Sequence, residues 1–234
     1  MKEGNFLLFL KVIINLQEPR KYVNILFMNK ADRIFNELSA LHALPVCELD
    51  YKTPFQLLVA VILSAQCTDA RVNKITPALF ERADNPYDMA KLEQEELEEL
   101  IKSCGFYHNK AKNILSASKT LCEKFGGVVP STVEELMTLD GVGKKTANVV
   151  YAVAFGGNAI AVDTHVFRVS HRLGLTEAKD PLGVEKDLCK IFKEEQWSTL
   201  HHLLIHHGRY ICKARKPECE RCTLGDICKE KRYE

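Results

Sequence analysis

Apolar residues recur at helical spacing along most of this chain from Met28 onward. The run Phe55 to Leu63 follows Thr53-Pro54 and is long enough to form a buried helix. Further helices are predicted over 96–104, 109–125 and 132–139. The short β-branched run at 159–162 has no partner strand in the pattern, so we interpret it as a connection. The pattern therefore predicts an all-α protein.

The segment Leu139 to Ala147 reads LDGVGKKTA and gives the strongest turn signal in the chain. Upstream, Ser131 and Glu134 have the spacing of a capping box, which predicts that a helix begins there. That helix is expected to end at Asp140, where the glycines follow.

The glycines and lysines of this turn suggest an anion site. Gly141 and Gly143 can adopt positive φ, and a second helix is predicted from Lys144 to Phe155. The first amides of that helix have no intrahelical partner, so they can bind a DNA phosphate. An ordinary helix corner with solvated Lys144 and Lys145 is an equal alternative on the glycine pattern alone.

Composition limits the function only weakly. A chain of 234 residues suits one or two domains, and a net charge of +1 does not indicate a nucleic-acid-binding protein as a whole. A local basic loop does exist, with Lys213, Arg215 and Lys216 in four residues. Such a patch can bind phosphates despite a neutral total charge.

The N-terminal segment has no evident role in the fold. Its apolar run, residues 6–14, is too short to span a bilayer and is followed by no small-residue cleavage site. We therefore interpret residues 1–27 as a dispensable extension. We expect no membrane association, and a cytoplasmic protein.

The nine cysteines fall into two groups. Five are scattered and are predicted to be small buried apolar side chains: Cys47, Cys67, Cys104, Cys122 and Cys189. The other four are Cys212, Cys219, Cys222 and Cys228, spaced C-x6-C-x2-C-x5-C. Four thiolates brought so close together repel unless a cation binds them, so this spacing predicts a metal site.

The identity of that metal stays open at this point. Zinc favours tetrahedral all-cysteine sites, usually with two C-x2-C pairs, whereas this tail has only one pair. An iron–sulfur cluster is the alternative, and the spacing favours it without excluding zinc. The histidines at 201, 202, 206 and 207 are interpreted as core residues or residues that face a binding partner, since the cysteines already account for the metal.

Four segments together resemble one known family. In chain order they are LLVAVILSAQCTD, LDGVGKKTANVV, AVDTHVFRVSHRLG and HGRYIC…CERC…C. They resemble endonuclease III, a base-excision DNA glycosylase with a helix-hairpin-helix motif, a following loop that ends in aspartate, and a [4Fe–4S] tail. The resemblance covers about residues 28–231. One departure is Asp140, where the family commonly has proline; because aspartate also ends helices, we expect little consequence.

The resemblance implies an all-α fold with two lobes. A six-helix lobe would span 47–157 and contain the helix-hairpin-helix motif at about 132–155. An iron–sulfur lobe would combine 28–46 with 158–234 and hold the cluster in the loop 212–228. DNA would bind in the cleft between the lobes.

The resemblance also implies two catalytic residues. Lys145 matches the family's nucleophile, whose amine attacks the sugar, forms a Schiff base and drives β-elimination of the 3′ phosphate. Asp163 matches the catalytic carboxylate, although its position also suits a simple helix N-cap. Lys144 is interpreted as a phosphate contact or a solvated lysine, and only the motif match favours Lys145 over it.

Further positions are expected to contact DNA. Extruding a nucleotide leaves a gap in the duplex, and Gln66 matches the family's residue that fills it. Phe106 falls on a second wedge position, with a core aromatic as the equal alternative. Asp69 either lines the pocket or caps the helix that follows. The phosphate contacts are expected from Gly141, Gly143, Lys144 and the basic loop residues Lys213, Arg215 and Lys216.

The predicted function is a bifunctional DNA glycosylase and abasic-site lyase that excises oxidised pyrimidines from double-stranded DNA. It would act as a monomer, on the nucleoid of a prokaryote. A monofunctional adenine- or mismatch-specific relative is one alternative, disfavoured by Lys145 and by the lack of an acid in residues 57–63. A non-catalytic, metal-stabilised DNA-binding module is the other.

Overall fold

The computed structural model describes residues 29–42 and 46–230, and within them it contains α-helices and 3₁₀ turns but no strand. The predicted all-α class is therefore confirmed. The proposed extension at 1–27 lies outside the described residues. The helices are α1 Lys30–Leu41, α2 Pro54–Ser64, α3 Asp69–Arg82, α4 Pro86–Met89, α5 Gln94–Ile101, α6 Tyr107–Phe125, α7 Val133–Leu136, α8 Lys144–Phe155, α9 Thr164–Arg172, α10 Pro181–Ile191 and α11 Trp197–Tyr210.

Helix α2 forms where the apolar run predicted it. The Thr53 hydroxyl accepts a hydrogen bond from the Gln56 amide at 3.2 Å, and Pro54 occupies the first turn, where its missing N–H costs nothing. All residues from Phe55 to Leu63 are buried, so α2 is the central helix of its core. The run at 159–162 is a buried connection, as predicted.

The helix before the hairpin differs from the prediction. Its N-cap is Thr132 rather than Ser131, and the Thr132 hydroxyl pairs with the amide and carboxylate of Glu135. The helix start is thus shifted by one residue, because neighbouring hydroxyls and neighbouring acids offer two equivalent registers, and the hydroxyl–carboxylate bond replaces the reciprocal backbone bond of a capping box. The helix is also a single turn, α7, that ends at Leu136 before the 3₁₀-type turns leading to the glycines.

Only one hairpin glycine needs its conformational freedom. Gly141 has φ +79°, and a Cβ there would lie 2.9 Å from the Asn113 Cβ, so a side chain would be both strained and crowded. Gly143 has φ −86° and serves as the N-cap of α8. Helix α8 begins at Lys144 and ends at Phe155, as predicted.

Two hydrophobic cores organise the molecule. The first core is built from buried residues between Leu49 and Val150, with α2 at its centre. The second core combines Ile34 and Leu38 of α1 with buried residues between Ile160 and Leu224. The chain therefore leaves α1, builds the first core, and returns to complete the second one.

The helices of the first core differ in number from the expectation. Residues 47–157 contain seven helical segments rather than six, of which α4 and α7 are only four residues long.

Within the described ranges, no helix has the length and apolar character needed to cross a bilayer.

The scattered cysteines are less buried than predicted. Cys104 is 1% exposed, whereas Cys47, Cys67, Cys122 and Cys189 are half-buried. Full burial is thus wrong for four of the five, although Cys47, Cys67 and Cys189 do pack against the two cores. Cysteine is a small side chain that can occupy the edge of a core as easily as its centre, and composition cannot distinguish the two.

Candidate active site

A cleft between the two cores brings the two predicted catalytic residues together. It has about 790 Å³ of space, part of it open to solvent, and both Lys145 and Asp163 line it. Lys145 stands at the start of α8, which belongs to the first core, and Asp163 directly precedes α9 of the second core. Helix α11 contributes His201, His202, Ile205, His206 and Arg209 to the wall, and residues 46–49 and 61–69 contribute further lining.

The two adjacent lysines face different sides of α8. The exposed Lys145 lines the cleft with Asp163. The Lys144 amine lies 3.9 Å from the Glu185 carboxylate, in a separate groove that also contains Trp197. Consecutive residues on a helix point about 100° apart, which explains the divergence. Lys145, and not Lys144, therefore lines the same cleft as Asp163.

Asp163 caps α9 and lines the cleft at once. Its Oδ1 accepts hydrogen bonds from the His165 and Val166 amides, both at 2.8 Å. These bonds fix the carboxylate at the helix N-terminus, where a negative charge is favoured by the helix dipole. Because Oδ1 accepts both bonds, Oδ2 is not needed for capping. Asp163 can therefore serve both as the N-cap of α9 and as a carboxylate that faces the cleft.

A network of charges that the sequence did not indicate closes one end of the cleft. The Arg209 guanidinium pairs with Glu48 at 2.5 Å and with Asp69 at 2.6 Å. Glu48 also accepts a hydrogen bond from the Tyr210 hydroxyl at 2.9 Å. Asp69 thus lines the pocket, while the cap of α3 is Thr68, whose hydroxyl accepts from an amide at 3.3 Å.

The histidines of α11 divide between core and cleft. His201 is 2% exposed, and burial lowers its pKa to about 3, so its ring is neutral; the nearby charges of Lys145 and Arg209 act in the same direction. His201 Nδ1 has no hydrogen-bond partner among the described residues, although the residue lines the cleft. His202 and His206 are half-buried cleft residues, whereas His207 is buried away from the cleft.

The predicted wedge residues stand on two adjacent loops. Gln66 has φ +54° and is exposed, and Phe106 has φ +59° and is 64% exposed. Neither is a core residue, so the core alternative for Phe106 is wrong. The loops lie close together, since a Cβ on Gly105 would stand 3.6 Å from the Gln66 carbonyl oxygen. Positive φ in bulky residues is uncommon and is typical of functional loops.

Two arginines of α9 donate hydrogen bonds to backbone carbonyls at the start of the basic loop. Arg168 Nε donates to the Cys212 carbonyl at 3.1 Å, and Arg172 Nη1 donates to the Lys213 carbonyl at 2.8 Å. The Lys213 amine is paired with Glu218 at 2.5 Å, which leaves Arg215 and Lys216 as the exposed cations of the loop. Helix α9 therefore connects Asp163 at its start with the cysteine tail at its end.

The four tail cysteines line one pocket that has about 430 Å³ of space, part of it open to solvent. No group of three or more histidine, cysteine or acidic side chains in the described part of the chain is close enough to hold one ion directly. The thiols thus surround a space instead of meeting at a point, and this fits a cluster better than a single zinc. Burial and the neighbouring thiols raise the pKa of Cys222, a cost that iron cations would offset.

The cavity has polar support that sequence spacing did not reveal. Arg172 Nη1 lies 3.4 Å from Cys212 Sγ, and His207 Nε2 lies 3.6 Å from Cys222 Sγ. His207 Nδ1 in turn lies 3.2 Å from His42 Nε2 on α1. Hydrogen bonds of this kind orient ligands and tune clusters.

Two family models match the chain. One is described as the HhH-GPD superfamily of base excision DNA repair proteins and matches residues 59–194. The other is described as the iron–sulfur binding domain of endonuclease III and matches residues 212–228. The second match begins at Cys212 and ends at Cys228, the first and last residues of the predicted ligand set.

Curated relatives agree over most of the chain. It is 55% identical over 185 residues to endonuclease III of Bacillus subtilis, covering 79% of this chain and 84% of the relative. Identity to the Synechocystis endonuclease III is 52% over 200 residues, covering 85% and 91%. Identity to the Escherichia coli endonuclease III is 45% over 206 residues, covering 87% and 98%.

Solved structures give the same result in three dimensions. A structure described as a trapped endonuclease III–DNA covalent intermediate superimposes with a TM-score of 0.83 at 50% identity, covering 87% of this chain and 98% of that one. A thermostable thymine-DNA glycosylase superimposes with a TM-score of 0.77 at 23% identity, which shows a shared fold alone.

Proposed function

Since this chain belongs to the endonuclease III family, we propose that Lys145 and Asp163 are the catalytic residues of its established reaction. That reaction is bifunctional base excision: a DNA glycosylase step and an abasic-site lyase step. The chain binds DNA and carries a [4Fe–4S] cluster. The observation that supports the assignment is that Lys145 and Asp163 line one cleft from opposite cores.

The chemistry follows from these two side chains. The neutral Lys145 amine attacks C1′ of the sugar as the base leaves, and a Schiff base between the amine nitrogen and C1′ forms after ring opening. Loss of a proton from C2′ then expels the 3′ phosphate by β-elimination. Asp163, anchored by two amides through Oδ1, stabilises the positive charge that develops on the sugar and exchanges protons with the amine.

The cleft and the surrounding loops suggest how DNA is held. Gln66 and Phe106 would fill the gap left by an extruded nucleotide, while Lys144 and the free amides at the start of α8 would bind the backbone. Asp69 would line the base pocket, held by Arg209. Arg215 and Lys216 would reach phosphates from the basic loop, with Lys213 positioned by Glu218.

The cluster would be held by Cys212, Cys219, Cys222 and Cys228, and its role would be structural: fixing the basic loop against the phosphates. Excision and elimination require no electron transfer, so every step above uses the chain's own residues. The two cores support a division into a domain at 47–157 and an iron–sulfur domain formed by 28–46 and 158–234.

The proposed substrates are oxidised pyrimidines and abasic sites in double-stranded DNA, processed by a monomer on the bacterial chromosome. The abasic-site activity needs only Lys145 and a bound backbone. A panel of defined lesions in duplex DNA, assayed for excision, tests the base preference. Excision of mismatched adenine alone, with no oxidised pyrimidine processed, would contradict it.

Borohydride trapping tests the nucleophile. Reduction of the Schiff base on abasic DNA should yield a covalent protein–DNA adduct in the wild type, and Lys145→Ala should lower its formation by at least about 10³-fold. Lys144→Ala is the matched control: it removes a proposed backbone contact but not the proposed nucleophile, since the Lys144 amine faces Glu185, so at saturating DNA it should retain the adduct. An undiminished adduct in Lys145→Ala would refute the assignment.

A further inference from the structure

Two cysteines lie directly beside the two proposed wedge residues. Cys67 follows Gln66, and Cys104 is separated from Phe106 only by Gly105. Both cysteines occupy turns: the Cys67 amide donates to the Ser64 carbonyl at 3.0 Å, and the Cys104 amide donates to the Ile101 carbonyl at 2.8 Å. A change at either sulfur would therefore act on the backbone of its own loop.

The two sulfur atoms are in contact across the loops. Cys67 Sγ lies 3.5 Å from Cys104 Sγ. A disulfide needs about 2.05 Å, so an approach of about 1.5 Å would join them. Both lie outside the cavity lined by the four cluster cysteines, so neither is committed to the cofactor.

We propose that Cys67 and Cys104 are an oxidation site, in which a hydroperoxide converts the pair to a disulfide that ties the two wedge loops together. With hydrogen peroxide, the Cys67 sulfur takes one oxygen to form a sulfenic acid and releases water. The Cys104 sulfur then attacks the Cys67 sulfur, the S–S bond forms, and the hydroxyl leaves as a second water. Both cysteines are oxidised, and one peroxide is reduced to two waters.

Exposure and electrostatics give the two cysteines different roles. Cys67 is half-buried and reachable from solvent, whereas Cys104 is 1% exposed. Burial, together with the contact with Cys67, raises the Cys104 pKa to about 11. Cys104 is thus the less reactive of the two toward peroxide, and its 3.5 Å contact with the Cys67 sulfur places it to resolve an oxidised neighbour. Transient, redox-sensing disulfides are the kind found in reducing compartments.

A consequence for DNA binding follows, and it rests on the proposed role of Gln66 and Phe106. Both residues hold left-handed backbone conformations next to the sulfurs. Drawing the sulfurs together would move these side chains away from the spacing that fits a single gap in the duplex. The oxidised protein should therefore bind abasic DNA more weakly, and a thiol reductant should restore binding.

Peptide mapping tests the oxidation site without DNA. The reduced holoprotein is treated with stoichiometric hydrogen peroxide, alkylated and digested under non-reducing conditions, with iron content and visible absorbance followed in parallel. We expect a Cys67–Cys104 linked peptide that dithiothreitol removes. Cys122→Ala, a substitution outside the pair, should still form it. Alkylated cysteines or a Cys67 sulfinic acid without the linked peptide would overturn the site.

Binding to duplex DNA with a tetrahydrofuran abasic analogue tests the consequence. Oxidation should weaken wild-type binding at least threefold, reversibly, and leave Cys104→Ala unchanged. A linked peptide with unchanged affinity would refute the coupling and count against the DNA role of Gln66 and Phe106. A missing linked peptide would refute the oxidation site itself, whatever the wedge residues do.

Discussion

The two walls of the proposed catalytic cleft are stabilised by different interactions. The wall that carries Lys145 rests on the first core, which has 28 buried apolar residues, eight of them on α2. The wall that carries Asp163 rests on the second core, which has 15 such residues among those described. The elements around the second core also contain the arginines of α9, the cysteine tail and seven of the eight histidines of the chain.

This difference shows how each catalytic group is positioned. Apolar packing places the lysine, and it depends little on pH or cofactor because it involves no charge. Hydrogen bonds, neutral histidines and the cluster place the aspartate, and each of these responds to solution conditions. The two halves of one active site should therefore fail under different conditions.

The largest test acts on the aspartate itself. Asp163→Asn keeps a side chain that caps α9 but removes the charge, so base excision should fall about 10²- to 10⁴-fold while the thermal midpoint changes little. Asp163→Ala should lose activity similarly and also lose about 1 kcal/mol of stability with the cap. Single-turnover kinetics and thermal unfolding separate the two effects. Full activity in Asp163→Asn would leave only the capping role.

A second test uses the acid sensitivity of the second core. The pKa of His201 is about 3 in the fold, below its ordinary value near 6.5, so the unfolded state binds an extra proton as the pH falls. Stability is then fully present at pH 7 and declines as acid is added. From pH 7 to pH 5 this histidine should cost about 2 kcal/mol of unfolding free energy.

Replacing the His201 ring tests the predicted direction of this pH dependence. His201→Gln should show a smaller loss between pH 7 and pH 5 than the wild type, by that same amount. Urea unfolding at both pH values, with iron content followed, measures it. The burial of His42 and His202 lowers their pKa values too, so some acid sensitivity should persist in the variant. Equal losses in variant and wild type would contradict the assignment.

The smallest effect is expected at the basic loop. Arg215→Ala should weaken DNA binding a few-fold and reduce the slope of log affinity against log salt by about 1, as expected for one lost phosphate contact. Lys213→Ala is the matched variant and should have a smaller effect, because Glu218 already pairs with its amine. DNA affinities measured over a salt series show which variant binds more weakly. A larger loss of affinity in Lys213→Ala than in Arg215→Ala would contradict the prediction.

Local patterns predicted the first core well. The apolar run after Thr53 and the glycine before Lys144 define α2 and α8 because propensity, capping and burial agree there. The N-cap of α7 shifted by one residue because Ser131 and Thr132 are chemically alike. The burial of individual side chains was harder to predict. The spacing around Phe106 suits a core aromatic, and only the left-handed turn exposes the ring.

The site needed three-dimensional information. Lys144 and Lys145 are neighbours in sequence, and their different surroundings arise from which side of α8 meets the second core. Arg209, Glu48 and Asp69 are brought together across 161 and 140 positions, which no local pattern encodes. The contact between Cys67 and Cys104 spans 37 positions and was missed for the same reason.

Helix α9 has one further consequence. It is nine residues long, about 13 Å, with Asp163 at its start and the cysteine tail gripped by Arg172 at its end. Because a helix this short is stiff, a displacement of its C-terminal end also moves its N-terminal end. We therefore expect a chain that has not yet received its iron to hold its carboxylate out of place. The lyase that breaks DNA strands would then stay inactive until its cluster has been inserted, and a single helix would be enough to link cluster insertion to activity.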